Sequence, residues 1–437
     1  MHQFFAGNFF NFEVIRILGM TASGGADIGE CLDAVDHIRE NDPTSWQEAW
    51  SEQAESASRI AMSAQHDRHR NAARSAFLRA ANYTRASAYM MTGKSLGSSD
   101  PRVAPILRKA AELFHSATQL QDSPAVPIQI PYEDGGISLP GYLYLPPASC
   151  RLPGGTPVLV NFVGADSTQE EQYYMFPAAG PELGYAVLTF DGPGQGLNLH
   201  EHGLPLRADW EAVAQAVFDH LYEYASEHPE LELNMEQVAV AGASLGGYFA
   251  LRSAADRRCK ACVAIDPMYD LYAFGAKHVA PTFFGLWDRG WIPDCVVDAA
   301  ISLGTRLSFQ MRWEIFTSSR FLGVSTPTAL LRAMQRFTLQ QGDGKTGTDY
   351  LGQLKCPTFV TGAAKSLYFE VADHTDMVFG GIQHREKECW VGLKPGNGGL
   401  QAKMGAVALC SQRVFAFLDR TFGVKRQSVI SRTTLQE

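Results

Sequence analysis

Apolar residues recur at helical spacing through residues 1–122, the period that turns one face of a helix toward a core. Asp42-Pro43 opens the clearest of these helices, a capping aspartate followed by proline at the first helical position. Trp46, Trp50 and Ile60 continue its pattern. A second helix is expected over Asn71–Met91 and a third over Arg102–Leu120. At Val126 the period falls to two, and Val126–Pro131 with Ile137–Leu145 reads as a hairpin around Glu133-Asp134-Gly135-Gly136. Strands then alternate with helices. The strands are Val158–Val163, Ala186–Phe190, Gln237–Ala241 and Lys260–Ile265; the helices are Glu170–Leu183, Leu206–Ser226 and Tyr248–Ala255. Continuous apolar strands between helices are those of a parallel sheet covered on both faces. Residues 268–348 interrupt this order with Trp287, Trp291, Trp313 and many Phe and Met, as an inserted lid would. Strand patterns return at Pro357–Thr361 and Glu388–Val391, and a helix over Gln401–Leu418 closes the order. The expectation is an α/β chain: a helical cap over 1–122, then a core over 123–437 with a lid at about 268–348.

The chain has 437 residues, which suits one large core with an appended helical unit. A net charge of −9 without a basic cluster argues against nucleic acid as a partner. The eight cysteines are scattered, and Cys259-x-x-Cys262 has no second pair or nearby histidine to complete a zinc set. They read as reduced, mostly buried thiols, and neither a metal nor a cofactor is expected. Met1–Met20 lacks the basic leader and unbroken apolar core of a signal peptide. No apolar run reaches membrane-spanning length. A cytoplasmic protein without a membrane span is the expectation, its Phe-rich start packed on the fold or on a partner subunit. Gly93–Ser99 is a linker, because it lacks the upstream glycine of a phosphate loop.

Val240–Tyr248 reads V-A-G-A-S-L-G-G-Y. It has the G-x-S-x-G form of a nucleophile elbow, with a β-branched run before Ser244 and a helix-compatible run after it. Small residues at Gly242 and Gly246 let strand and helix close around a strained serine. Such a serine needs a base, and the base needs an acid to orient it.

The runs G-A-D-S-T-Q-E-E at Gly164, F-D-G-P-G-Q-G at Phe190 and G-A-S-L-G-G at Gly242 stand in this order behind an N-terminal helical cap. Together they resemble a branch of the α/β-hydrolase superfamily. That branch includes 2,6-dihydropseudooxynicotine hydrolase, a carbon–carbon bond hydrolase, and fungal pigment-pathway hydrolases that shorten heptaketides. The resemblance covers nearly the whole chain. It implies an α/β-hydrolase fold with Ser244 as nucleophile, backbone N–H groups of Leu245 and Ala165 as oxyanion hole, and Asp166 facing the substrate. It also implies pairing of two copies through the cap. The family acid would fall at Lys365, and the family histidine within Pro395–Lys403, which holds none.

Three histidines are candidate substitutes for the missing base: His374 after the Lys365 loop, and His200 and His202 after the Asp191 turn. Asp266 and Asp270 are candidates for a displaced acid. Lys365 and Gln401 could polarise a carbonyl or hold a water. Burial should raise the pKa of Asp166 and suit it to proton transfer; in a plainer reading it caps the following helix. Asp191 reads as structural. Three functions stay open. The first is hydrolysis of a C–C, ester or thioester bond in an apolar polyketide-like metabolite through Ser244 and a relocated base. The second is non-covalent acid/base catalysis by Asp166, such as ring closure or epoxide opening. The third is a binding protein on a degenerate hydrolase frame.

Overall fold

The computed structural model describes residues 1–133, 136–340 and 349–426, without the side chains of 276–279. Five helices precede the first strand: α1 (Asn8–Leu18), α2 (Ile28–His37), α3 (Pro43–His66), α4 (Arg70–Ala88) and α5 (Val103–Thr118). The Asp42 side chain caps α3 by accepting from the Thr44 and Ser45 amides, with Pro43 in the first turn. Trp46 and Trp50 are fully buried. The aromatic start of the chain packs inward: Phe9, Phe10 and Phe12 of α1 are buried, and the Phe9 ring lies 5.1 Å from that of Trp313.

Eight strands form one sheet: β1 (Ala125–Tyr132), β2 (Ile137–Tyr144), β3 (Thr156–Phe162), β4 (Ala186–Phe190), β5 (Leu233–Ala243), β6 (Cys259–Ile265), β7 (Thr358–Ala363) and β8 (Lys387–Gly392). Their spatial order is β1-β2-β4-β3-β5-β6-β7-β8. β1, β2 and β4 pair antiparallel, and all other neighbours run parallel. Every residue of β3, β4 and β7 is buried, as expected of strands with helices on both faces. The tip of the β1–β2 hairpin includes residues 134 and 135, outside the described residues.

Between these strands lie α6 (Gln169–Gln172), α7 (Gly196–His202), α8 (Trp210–Glu227), α9 (Leu245–Ser253), α15 (Thr375–Gly381) and α16 (Val407–Phe422), numbered in chain order. The insertion after β6 supplies α10 (Leu271–Val279), α11 (Pro281–Asp288), α12 (Asp294–Leu307), α13 (Phe309–Phe321) and α14 (Pro327–Met334).

Three expected helices differ. The one over Glu170–Leu183 shrinks to α6 and then turns, because Pro177 and Pro181 cannot donate to a continuing helix. The one expected from Leu206 begins at Trp210, since the Leu206 amide donates instead to the Phe321 carbonyl at 2.7 Å. The final helix starts at Val407 rather than Gln401, because Ala402, Lys403 and Gly405 all have positive φ.

Candidate active site

β3 and β5 are parallel neighbours, with Phe162 opposite Gly242. Their carboxyl ends therefore bring the Gly164–Thr168 loop beside Ser244, at the edge where open α/β sheets bind ligands. Ser244 joins β5 to α9 with φ 58° and ψ −119°, a strained conformation for a residue with a side chain. The two glycines explain how it is tolerated. A Cβ on Gly242 would lie 2.1 Å from the Gly246 carbonyl oxygen, and one on Gly246 would lie 2.6 Å from that of Phe162. The Ser244 amide donates to the Ile265 carbonyl at 2.8 Å, fixing the turn against β6. Leu245 is the first residue of α9, so its N–H has no acceptor within the helix. Leu245 and Ala165 line the same cavity as Ser244. Gln195 holds the Ala165 loop, donating to the carbonyls of Val163 at 2.8 Å and Gly164 at 3.1 Å.

That cavity, of about 240 Å³, lies under the inserted helices and is lined mainly by Met268, Phe274, Ile301, Trp313, Phe321 and Leu331. A second, smaller chamber of about 80 Å³ is also bordered by Ser244 and is lined by residues of α1 and by Gln401. Asp166 borders both. It is an exposed residue, with 35% of its side-chain surface open.

Asp166 does not cap α6; Thr168 occupies that position. Its carboxylate accepts instead from Arg16 at 2.9 Å and from the Tyr89 hydroxyl. The expected rise in its pKa is reversed. Burial pushes it upward, but the Arg16 charge and the Tyr89 hydrogen bond outweigh that and hold it below the ordinary carboxylate value. Arg16 is itself fixed by a bidentate pair with Glu171, both contacts 2.6 Å, and Arg85 reaches Glu171 at 3.2 Å. The same Arg16 guanidinium lies 3.4 Å from Glu13. Burial lifts the Glu13 carboxyl to about 8, with Arg16 only partly offsetting it. Sequence reading missed Glu13, Arg16, Arg85 and Tyr89, because helical periodicity marks a residue as buried without telling what it meets.

The histidine candidates are not where a base is needed. Neither wall that carries Ser244 contains a histidine, and among the described residues its hydroxyl has no hydrogen-bond partner. His374 stands at the start of α15 but is itself buried, and its Nδ1 accepts from the Tyr269 amide at 3.0 Å. His202 is exposed. His200 lies in a separate cavity that reaches Asp166 but not Ser244, with Nδ1 2.8 Å from the Ser99 hydroxyl. Burial, with the Arg320 charge nearby, lowers its pKa to about 4, so it is neutral at pH 7. Lys365 is exposed and belongs to neither wall of Ser244.

Gln401 does reach the site. It lines the chamber with Ser244 and Asp166, donates to the Asp266 carbonyl at 3.1 Å and accepts from Ser366 at 2.7 Å. The Asp266 side chain is turned to Lys403 at 2.6 Å, in an ion pair whose side chains are 2% and 0% exposed. Lys403 also donates to the carbonyls of Gly362 and Gly398. Asp266 is thus committed to holding the ends of β6, β7 and the loop after β8 together. The Asp270 carboxylate, just before α10, accepts from the Ala273 amide at 2.6 Å. Asp191 is structural as expected: it accepts from the Gln169 amide at 2.8 Å. Among the described residues there is no cluster of His, Cys, Asp and Glu that could hold a metal, and no helix is long and apolar enough to cross a membrane.

Residues 158–374 match the family model described as "Alpha/beta hydrolase family". The chain is 49% identical over 439 residues to the hydrolyase ccsE of Aspergillus clavatus, covering 98% of this chain and 100% of that one. It is 48% identical to the hydrolase ORFZ of Pyricularia oryzae, covering 98% and 99%. Among solved structures, 2,6-dihydroxy-pseudo-oxynicotine hydrolase superposes with a TM-score of 0.69 at 21% identity, over 94% of this chain and 97% of that one. AbyA5 superposes with a TM-score of 0.58 at 15% identity, over 91% and 90%. With near-complete relatives at this identity and the elbow in place, the chain is an enzyme of the α/β-hydrolase family.

Proposed function

We propose that this enzyme tailors an apolar, polyketide-like secondary metabolite by non-covalent acid/base catalysis, with Asp166 as the base. One observation carries the reading. Ser244 sits in a strained elbow facing an apolar cavity, yet no histidine lines either space it borders, and the smaller one holds the Gln401 amide instead. A serine hydroxyl without a base is a poor nucleophile, and an acyl-enzyme without one cannot activate water for its release. Asp166, held ionised by Arg16 and open to the cavity, is the carboxylate in reach of bound substrate; its lowered pKa weakens it as a base, so the proton it takes must come from a carbon acidified by a hydrogen-bonded carbonyl. Ser244 and Gln401, which line the smaller chamber with Asp166, would hydrogen-bond the substrate carbonyl and the oxyanion left behind. Ring closure at an activated carbon fits this set of groups.

The retained elbow and oxyanion N–H groups favour hydrolysis through Ser244 as the second reading. Intact mass after treatment with a fluorophosphonate separates the two. The expected result is no adduct on protein that still binds an apolar fluorescent probe. A single adduct lost in Ser244→Ala would sink the non-covalent reading. A cytoplasmic setting is supported by the eight free cysteines. Pairing through the N-terminal helices is supported by exposed Ile28 and Leu32 on α2 and Ile60 and Met62 on α3; a monomer in sedimentation at micromolar concentration would count against it.

A further inference from the structure

The hydroxyl of Tyr89 contacts three groups of the buried cluster. It lies 3.0 Å from Arg16 Nη1 and 3.2 Å from Glu13 Oε1, and it makes a short contact to Asp166 Oδ2. A phenol has one proton to donate. With Asp166 ionised, that proton belongs on the Tyr89–Asp166 contact, and Arg16 donates to the Tyr89 oxygen. The remaining contact, 3.2 Å from Glu13, closes without sharing the Tyr89 proton when Glu13 is protonated and donates to Tyr89. The hydrogen-bond geometry therefore favours a proton on Glu13 in the same direction as its burial. Glu13 also lines the chamber that contains Ser244, Asp166 and Gln401.

We propose that Glu13 is the proton donor of this site, paired with Asp166 as proton acceptor and reset through the Tyr89 hydroxyl. The inference rests on the acid/base reading above. Asp166 takes a proton from a substrate carbon next to a carbonyl, and the C–H electron pair passes into the enolate. Glu13 gives its proton to the enolate oxygen. That leaves Asp166 protonated, Glu13 ionised and the substrate as a neutral enol. Asp166 then donates to the Tyr89 oxygen as Tyr89 donates its own proton to Glu13, which restores the starting state with no net gain or loss.

Two carboxyls whose surroundings push their proton affinities apart form such an acid–base pair. Burial raises Glu13 to about 8, while Arg16 and Tyr89 hold Asp166 low. The groups facing Glu13 are Arg16 on α1, Tyr89 after α4, Asp166 after β3 and Glu171 on α6, and Tyr368 after β7 feels the Glu13 charge. Arg85 on α4 acts on Glu171.

The first test uses the full chain labelled with 13C at glutamate carboxyls. One resonance should titrate with a midpoint near 8, vanish in Glu13→Gln and move lower in Tyr89→Phe, which removes the acceptor that the protonated Glu13 carboxyl uses. No glutamate titrating between pH 7 and 9, or a midpoint indifferent to Tyr89→Phe, would overturn the proposal. The second test follows deuterium exchange at the α-carbon of 4-phenyl-2-butanone by mass spectrometry. Wild-type exchange should fall tenfold per pH unit above the Glu13 midpoint. Glu13→Gln should slow it by about 10²–10⁴-fold, the usual range for a general acid, and erase that alkaline limb. If Asp166→Asn abolishes exchange but Glu13→Gln keeps both rate and limb, Asp166 stands and Glu13 falls. If Asp166→Asn leaves exchange unchanged, the acid/base reading itself fails.

Discussion

Lys403→Met removes the cation from a fully enclosed ion pair. In the native protein the ammonium spends its three donors on Asp266 Oδ1 at 2.6 Å, the Gly362 carbonyl at 2.7 Å and the Gly398 carbonyl at 3.0 Å. Met fills much of the same volume, so the effect is electrostatic. Removing one partner of a buried pair costs about 3–5 kcal/mol, because the other charge is left uncompensated. Heat should report it as a fall in Tm of about 3–5 °C, from roughly 2 cal/mol/K of unfolding entropy per residue over 437 residues. Urea unfolding followed by far-UV dichroism gives the free energy directly. The pH dependence adds a second check. Burial already holds the Asp266 pKa above its ordinary value, despite the opposing pull of Lys403, and removing Lys403 raises it further. A carboxyl with a raised folded pKa contributes most below its unfolded value and loses that contribution as pH climbs through the folded one. The loss should therefore be smaller at pH 5 than at pH 8. Replacing both partners, Asp266→Asn with Lys403→Met, should recover most of it. A loss under about 1 kcal/mol, or one equal at pH 5 and 8, would refute the argument that this pair is buried and charged.

Two further predictions concern groups outside the reacting cluster. His200 has a folded pKa of about 4, below its unfolded value, so its stabilising contribution is full above that unfolded value and is lost as pH falls toward 4. His200→Leu should flatten stability over that acid window in a urea titration series; an unchanged acid loss would show that another group causes it. Gly242→Ala should cost at least about 3 kcal/mol or prevent folding, the upper end of the overpacking range, because the added carbon meets backbone at 2.1 Å rather than a movable side chain. A soluble variant with a native urea midpoint would contradict the close approach of strand and helix at the elbow.

Local signals carried the architecture. The period change at Val126, the buried runs of β3, β4 and β6 and the glycine spacing around Ser244 all act within a few residues, so the order of strands and helices could be read without the fold. The Asp42-Pro43 cap and the elbow are equally local, and both formed as expected. The absence of a histidine in Pro395–Lys403 was also plain in the sequence. Helix ends were read less well where the deciding contact was distant, as when Phe321 captured the Leu206 amide.

The chemistry of the site depended on tertiary structure. Arg16 meets Glu171 across 155 residues and Asp166 across 150, separations at which sequence spacing carries no information about proximity. That meeting reversed the expected shift of Asp166, since burial alone raises a carboxyl whereas a buried guanidinium against it lowers it. Packing also moved His374 and His200 into enclosed sites away from Ser244 and left Lys365 and His202 in solvent. Sequence alone determined the frame, because secondary structure and elbow geometry follow from neighbouring residues. Which charges face the cavity was decided by packing, because a charge's proton affinity is set by whatever the fold places within a few ångströms of it.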